Sequence, residues 1–192
     1  MLNISKKNLI VVAVAIVVAL AGGIAQATPI QWTVASGGNG HYYERINSAN
    51  ITWSNAKTAA EALTYNSNSG HLATLTSATE NTFVTNSVIN GATGSSWIGG
   101  NQPSGSTEPA GGWAWVTGEA WSYTNWYPGE PNNGGSGGGE DSVEMRSNGV
   151  WNDLPDNGNA AIDHYVVEYA PEPATMSLLG LGGLALLRRR RK

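Results

Sequence analysis

The 192-residue chain contains no cysteine. Disulfide frameworks, thiol catalysis and thiolate zinc sites are therefore excluded, and the fold has to be held by packing alone. Bases are scarce away from the ends. Seven of the ten lysines and arginines are terminal, at Lys6, Lys7, Arg188, Arg189, Arg190, Arg191 and Lys192. Residues 28–170 hold three bases, Arg45, Lys57 and Arg146, against thirteen acids, a net charge of −10 that the whole-chain value of −4 conceals. Such a surface repels nucleic acid, which excludes that class of partner, and it suits bound cations. Long apolar runs are missing too, except in the two terminal segments.

Those segments read as sorting signals. Lys6 and Lys7 precede an apolar run over residues 9–21, and Ala25-Gln26-Ala27 is a small-x-small cleavage site. Together they predict a secretory signal peptide over residues 1–27, and the run is short for an uncleaved anchor. At the other end Pro171-Glu172-Pro173 precedes fourteen small or apolar residues, 174–187, and then the basic tail. Fourteen is too few for an ordinary spanning helix, so a weak tail anchor or transient membrane contact is the plain reading. The basic cluster would stay cytoplasmic. The three-part pattern over residues 171–192 resembles the PEP-CTERM sorting signal of Gram-negative bacteria. That resemblance implies an exosortase-type processing enzyme as partner, and export to the extracellular space or cell surface.

Between the ends lies one domain, residues 41–170, behind a lead-in over residues 28–40 that reads as a strand with a loose entry. Trp53, Ala56, Ala60 and Leu63 recur at helical spacing, with Thr52 as N-cap. HLATLT, residues 71–76, alternates like a strand. Ser77-Ala78-Thr79-Glu80 is a capping box opening a second helix through Phe83, Val84 and Val88. After Gly91 come short strands, tryptophans and long loops. Val143 and Met145 alternate on one strand face, and Asn148-Gly149 predicts a two-residue hairpin that sets Glu144 opposite Asp153. Two early helices and later strands give an α+β class. Some forty residues from 99 to 140 carry little regular patterning, yet Trp113, Trp115, Trp121 and Trp126 demand burial. Trp115, Trp126 and Trp151 read as core anchors. Trp113 reads as outward-facing.

One constellation carries chemistry. Glu130, Asn132, Glu140, Asn152 and Asp153 offer side-chain oxygens of the kind that calcium takes six to eight at a time. Three carboxylates around one divalent ion leave a charge of about −1, and five ligands leave positions open for a sugar's vicinal hydroxyls. Each hydroxyl can donate its proton to a carboxylate and accept from an amide, so paired Glu and Asn ligands complete its bonding. A cis bond at Pro131 would turn Glu130 and Asn132 to the same side. The hairpin register leaves Glu140 roughly 13 Å along the strand, at about 3.3 Å per residue. Either the glycines fold the loop back or Glu144 is the third carboxylate.

The motifs HYYE, ITWSNAK, GHLATLTSATEN, WIGG, WAWVTGE, YTNW, GEPNN, GGED, VWND and YVVEY resemble, in order, a C-type lectin-like domain from about His41 to Tyr169. The resemblance implies that fold: two helices, two small antiparallel sheets and a long calcium-binding loop region. It implies Ca2+ as cofactor, carbohydrate as partner, and Glu130, Asn132, Glu140, Asn152 and Asp153 as both metal and sugar ligands. Asn133 and Asp141 would serve an auxiliary calcium. The EPN form implies mannose, glucose, fucose or N-acetylglucosamine type ligands. The family's cysteine places are held by Ala60, Ser142, Asp156 and Val167, and the gap from Glu130 to Glu140 is two residues longer than in animal mannose-type members. The rival function is a calcium-stiffened interaction or matrix module without sugar binding. Enzymatic readings fail. Residues 153–164 have Pro155 and His164 where an EF-hand needs ligands, and Asp163 and His164 are strand neighbours facing opposite ways.

Overall fold

The computed structural model describes residues 28–134, 139–156 and 162–171. The two terminal sorting segments, and any helix in them, lie outside the described residues. Among those that are described, no helix is long and apolar enough to cross a membrane.

The first helix forms where its cap predicts, and it ends before Leu63, the last residue of the expected face. Thr52 accepts from Asn55 N at 3.2 Å and opens α1, Trp53–Glu61, which buries Trp53, Ala56 and Ala60. A Thr cap of this kind stabilises a helix by about 1 kcal/mol. The second helix, α2, spans Ala78–Phe83 and continues as π-helical turns over Val84–Ile89. Ser77 Oγ accepts from Glu80 N at 3.2 Å. The reciprocal half of the capping box is absent, because the Glu80 carboxylate turns to Thr76 N at 2.7 Å instead.

The strands, in chain order, are β1 (Ile30–Gln31), β2 (Tyr42–Asn47), β3 (Thr64–Tyr65), β4 (Asn68–Leu72), β5 (Ser95–Asn101), β6 (Ala114–Trp115), β7 (Ser142–Met145), β8 (Trp151–Leu154) and β9 (Ile162–Tyr169). They form two antiparallel groups. One runs β1-β2-β9-β4-β3 and the other joins β5 to β6, β7 and β8. The groups meet where β5 pairs parallel with β9, Trp97 against Tyr165. This is the expected α+β architecture, with the long loop between β6 and β7.

Four local expectations are corrected. The lead-in is only a two-residue strand followed by a 3-10 turn, Val34–Ser36, capped by Thr33. The strand read over residues 71–76 stops at Leu72. Beyond it Thr74 N donates to Glu168 Oε2 at 2.9 Å and Thr76 N to Glu80, so carboxylates replace ladder partners. Trp113 is buried, its Nε1 donating to Pro109 O at 3.1 Å. The β7–β8 hairpin has three loop residues, not two, since Arg146 N donates to Val150 O at 2.9 Å. The register moves by one, and Asp153 faces Val143 while Glu144 faces Asn152. Gly149, at φ 88°, supplies the left-handed residue such a turn requires.

Two aromatic-rich clusters fill the core. In one, Trp151 is fully buried among Trp115, Trp121, Tyr123 and Trp126, with Nε1 donating to Asn81 Oδ1 at 2.8 Å. Trp115 and Trp126 join the core as expected. In the other, Ala60 and Val167 pack in the same cluster as Trp97 and Tyr169.

Candidate functional site

The site is assembled against β8. Trp151 anchors that strand, and a short parallel bridge adds Trp126 alongside it, with Trp151 N donating to Asn125 O and Tyr127 N to Trp151 O, each at 2.8 Å. The chain then turns at Gly129, where φ is 100° and Glu130 N donates to Tyr127 O at 2.9 Å. The Glu130–Pro131 bond is cis.

That turn brings the two distant motifs together. Asn132 N and Asn133 N donate to Asp153 Oδ2 at 3.0 and 2.8 Å. The glycine-rich loop folds back on the same point. Gly134 N donates to Glu140 Oε2 at 2.7 Å, and Glu140 N to Asn133 Oδ1 at 2.9 Å. Glu140 is therefore the acid that reaches the Glu130 loop. Glu144 does not; it lies in the sheet, bonded by the Ser95 hydroxyl and by Asn152 Nδ2 at 3.3 Å. Asn152 also donates to Asp153 O at 3.0 Å, so its amide nitrogen is spoken for on the sheet side. The Asn133 amide oxygen accepts from Glu140 N at 2.9 Å, and the Asp141 backbone carbonyl accepts from Gln102 N at 2.8 Å.

The electrostatics of the cluster are unbalanced. Glu130 Oε2 is buried with no hydrogen-bond partner. Burial first, then the charge of Asp153 and a hydrogen bond shared with it, push the Glu130 carboxyl above its usual range. Arg146 offsets part of this and the charge of Glu140 adds to it. A buried carboxylate oxygen without a donor is costly unless something positive meets it. Backbone N–H groups meet Asp153 and Glu140, and no donor meets Glu130 Oε2. Among the described residues no three His, Cys, Asp or Glu side chains form a group able to hold a metal by themselves. A cation here would need the amide and backbone oxygens as well. The donor set of hard oxygens fits calcium in kind.

Sequence reasoning missed two residues beside this cluster. The Arg146 guanidinium carbon lies 4.7 Å from the centre of the Tyr127 ring. Neither belongs to a motif, and the scarcity of bases was the one signal that could have pointed to Arg146. Asp163 and His164 are not a catalytic pair: Asp163 accepts from Asn50 N at 2.9 Å, and His164 Nδ1 lies 3.3 Å from Ser95 O.

Comparisons with known proteins agree with this architecture. The family profile described as "Lectin C-type domain" matches residues 47–162, and that of the PEP-CTERM protein-sorting motif matches residues 170–192. The low affinity immunoglobulin epsilon Fc receptor of Mus musculus is 56% identical over 43 residues, which is 22% of this chain and 12% of that receptor. Among solved structures, the cow C-type carbohydrate-recognition domain of CD23, solved in the presence of a GlcNAc2Man3 oligosaccharide, superposes with a TM-score of 0.55 at 28% identity, covering 69% of this chain and 90% of that one. The C-type lectin CEL-I from Cucumaria echinata gives a TM-score of 0.57 at 28% identity, covering 70% and 93%.

Proposed function

The chain belongs to the C-type lectin domain family, and from that membership we propose that its exported domain binds carbohydrate through one calcium ion ligated by Glu130, Asn132, Glu140, Asn152 and Asp153. Members of the family are non-enzymatic carbohydrate-binding proteins, and the C-terminal PEP-CTERM motif indicates export and surface sorting in bacteria. The observation that carries the calcium reading is the buried, donor-free Oε2 of Glu130 beside Asp153. When bound, the ion supplies a Lewis-acidic point for two sugar hydroxyls.

The chain's own residues do the rest. Glu130 and Glu140 accept hydroxyl protons and the amide of Asn132 donates to a hydroxyl oxygen, while Asn152, its nitrogen held in the sheet, offers only its amide oxygen to the ion. This alternation favours two neighbouring hydroxyls of the mannose or glucose type, on an extracellular or cell-surface polysaccharide of a Gram-negative bacterium. The oligosaccharide beside the cow domain is consistent with that preference. The first 27 residues and the PEP-CTERM tail would be removed during export, the second by an exosortase.

Calorimetry tests the site. Calcium affinity should fall at least tenfold in Asn132→Ala and Glu140→Gln, and stay within twofold in Glu144→Gln. Methyl α-mannoside should bind with calcium and not with EDTA. Undiminished calcium affinity in both of the first two variants would move the site elsewhere. Calcium binding without any glycoside binding would leave the interaction module as the function.

A further inference from the structure

Arg146 is the cation that the fold commits least. The three Lys and Arg residues of the described chain meet different fates. Arg45 gives its guanidinium to Thr93 O at 2.6 Å and Ser96 Oγ at 3.0 Å. Lys57 pairs with Glu61 at 2.6 Å. Arg146 has only a long ion pair, Nε to Glu144 Oε1 at 3.9 Å, beyond hydrogen-bond distance. Its side chain is 36% exposed. It lies over Tyr127, itself 44% exposed, a large aromatic left in solvent.

The pair is built rather than accidental. Tyr127 N donates to Trp151 O and Arg146 N to Val150 O, so consecutive residues of the chain entering β8 hold both. The cation–π contact holds the guanidinium carbon over the ring on a partly exposed side chain. Glu130 N donates to Tyr127 O at 2.9 Å, so the ring under Arg146 belongs to the same turn as the proposed calcium ligand Glu130. In a domain of net charge −10, an arginine at that point has a chemical consequence. Three carboxylates and one calcium leave about −1, which repels an anionic ligand; Arg146 sets a local positive point against that repulsion, although Glu144 balances it in net charge.

We propose that Arg146, positioned by Tyr127, is a specificity determinant for acidic sugars: it pairs with the carboxylate of a uronic acid residue whose neighbouring hydroxyls are held at the calcium cluster. A guanidinium meets a carboxylate by two parallel N–H donors, which an ammonium cannot do. The inference deepens the calcium-lectin reading and rests on it.

The test compares methyl α-D-glucuronoside with methyl α-D-glucoside on the whole domain with calcium, by NMR titration. Monomeric glycosides are used because polyuronates take up calcium themselves. The wild type should prefer the glucuronoside about three- to tenfold, and less at high salt. Arg146→Gln should abolish the preference while keeping glucoside binding. Tyr127→Leu should reduce it and Tyr127→Phe should retain it, which separates positioning of the cation from general damage. Calcium calorimetry provides a readout independent of sugar: Arg146→Gln should bind the ion slightly more tightly, since a repelling charge has gone. Equal affinity for the two glycosides in the wild type, or a preference that survives Arg146→Gln, overturns the inference alone. Failure of both glycosides to bind a calcium-loaded domain removes the lectin reading and this inference with it.

Discussion

Two clusters of buried acid lie in this domain, and they are solved in opposite ways. Around Glu168 and Glu80 the protein provides its own donors. Glu168 accepts from Thr74 N at 2.9 Å and Thr74 Oγ1 at 3.0 Å, and stands 2.5 Å from His41 Nδ1. Glu80 accepts from Tyr43 OH at 2.6 Å, Asn39 Nδ2 at 2.9 Å and Thr76 N at 2.7 Å. Burial alone would raise the Glu168 carboxyl, but the His41 hydrogen bond, the His71 charge and the Thr74 N–H outweigh it and hold Glu168 below its usual range. Glu80 is nevertheless raised, by burial and the Glu168 charge. Burial and a neighbouring carboxylate raise Glu130 as well, and what sets Glu130 apart is that one of its oxygens has no partner. Buried acids are thus a structural device where donors come with the fold, and a receptor for an outside cation where they do not.

The largest effect that would break this contrast is in the first cluster. Glu168→Ala leaves Thr74 N and His41 Nδ1 without their acceptor, and should destabilise the domain by about 3–5 kcal/mol in urea unfolding. Calcium should not restore the loss. If it does, the two clusters are not independent.

Glu130→Gln should do the reverse. Glu130 has a raised pKa in the fold, so as pH rises the unfolded chain releases this proton first and calcium-free stability falls across that range. Glu130→Gln removes that fall and should leave the calcium-free domain as stable or more so at pH 7. It should also abolish most of the calcium-induced rise in melting temperature. In the wild type that rise should be largest near neutral pH and shrink with acid, as protons displace the ion. Glu168 follows the opposite rule: its pKa is depressed, so its contribution is present above the unfolded value and is lost as pH falls through the folded one. Melting curves over pH with calcium and EDTA separate the two. A Glu130→Gln variant as damaged as Glu168→Ala would sink the comparison.

The smallest effect marks the outer limit. Lys57 and Glu61 form an exposed i,i+4 pair, and Lys57→Ala should cost only about 0.3–0.5 kcal/mol. A larger loss by the same denaturation assay would mean that surface charge matters more here than burial does.

What could be read from the sequence followed the range of the interactions. Thr52 and Ser77 act within one turn of chain, so both helix starts were legible. The end of β4 was not, because it depends on Glu168, ninety-four residues from Thr74. Asn148-Gly149 is compatible with loops of two or three residues, and only tertiary pairing selects three. A slip of one residue turns a strand's faces over, so a two-residue turn sets Glu144 opposite Asp153 where the fold sets it opposite Asn152. EPN and WND stood out as short local motifs. That Glu140 folds back to Gly134 is a property of the intervening loop, on which hydrophobic periodicity is silent.

The pairing of β2 with β9 carries one more consequence. Tyr42 faces Tyr169 and Asn47 faces His164, so the chain enters and leaves the domain side by side, at one end of an antiparallel ladder. A load applied between these two ends would open the rungs one after another, like a zipper, rather than shearing all six at once. The domain is mechanically suited to hanging from a single tether and ill suited to serving as a link in a chain under tension.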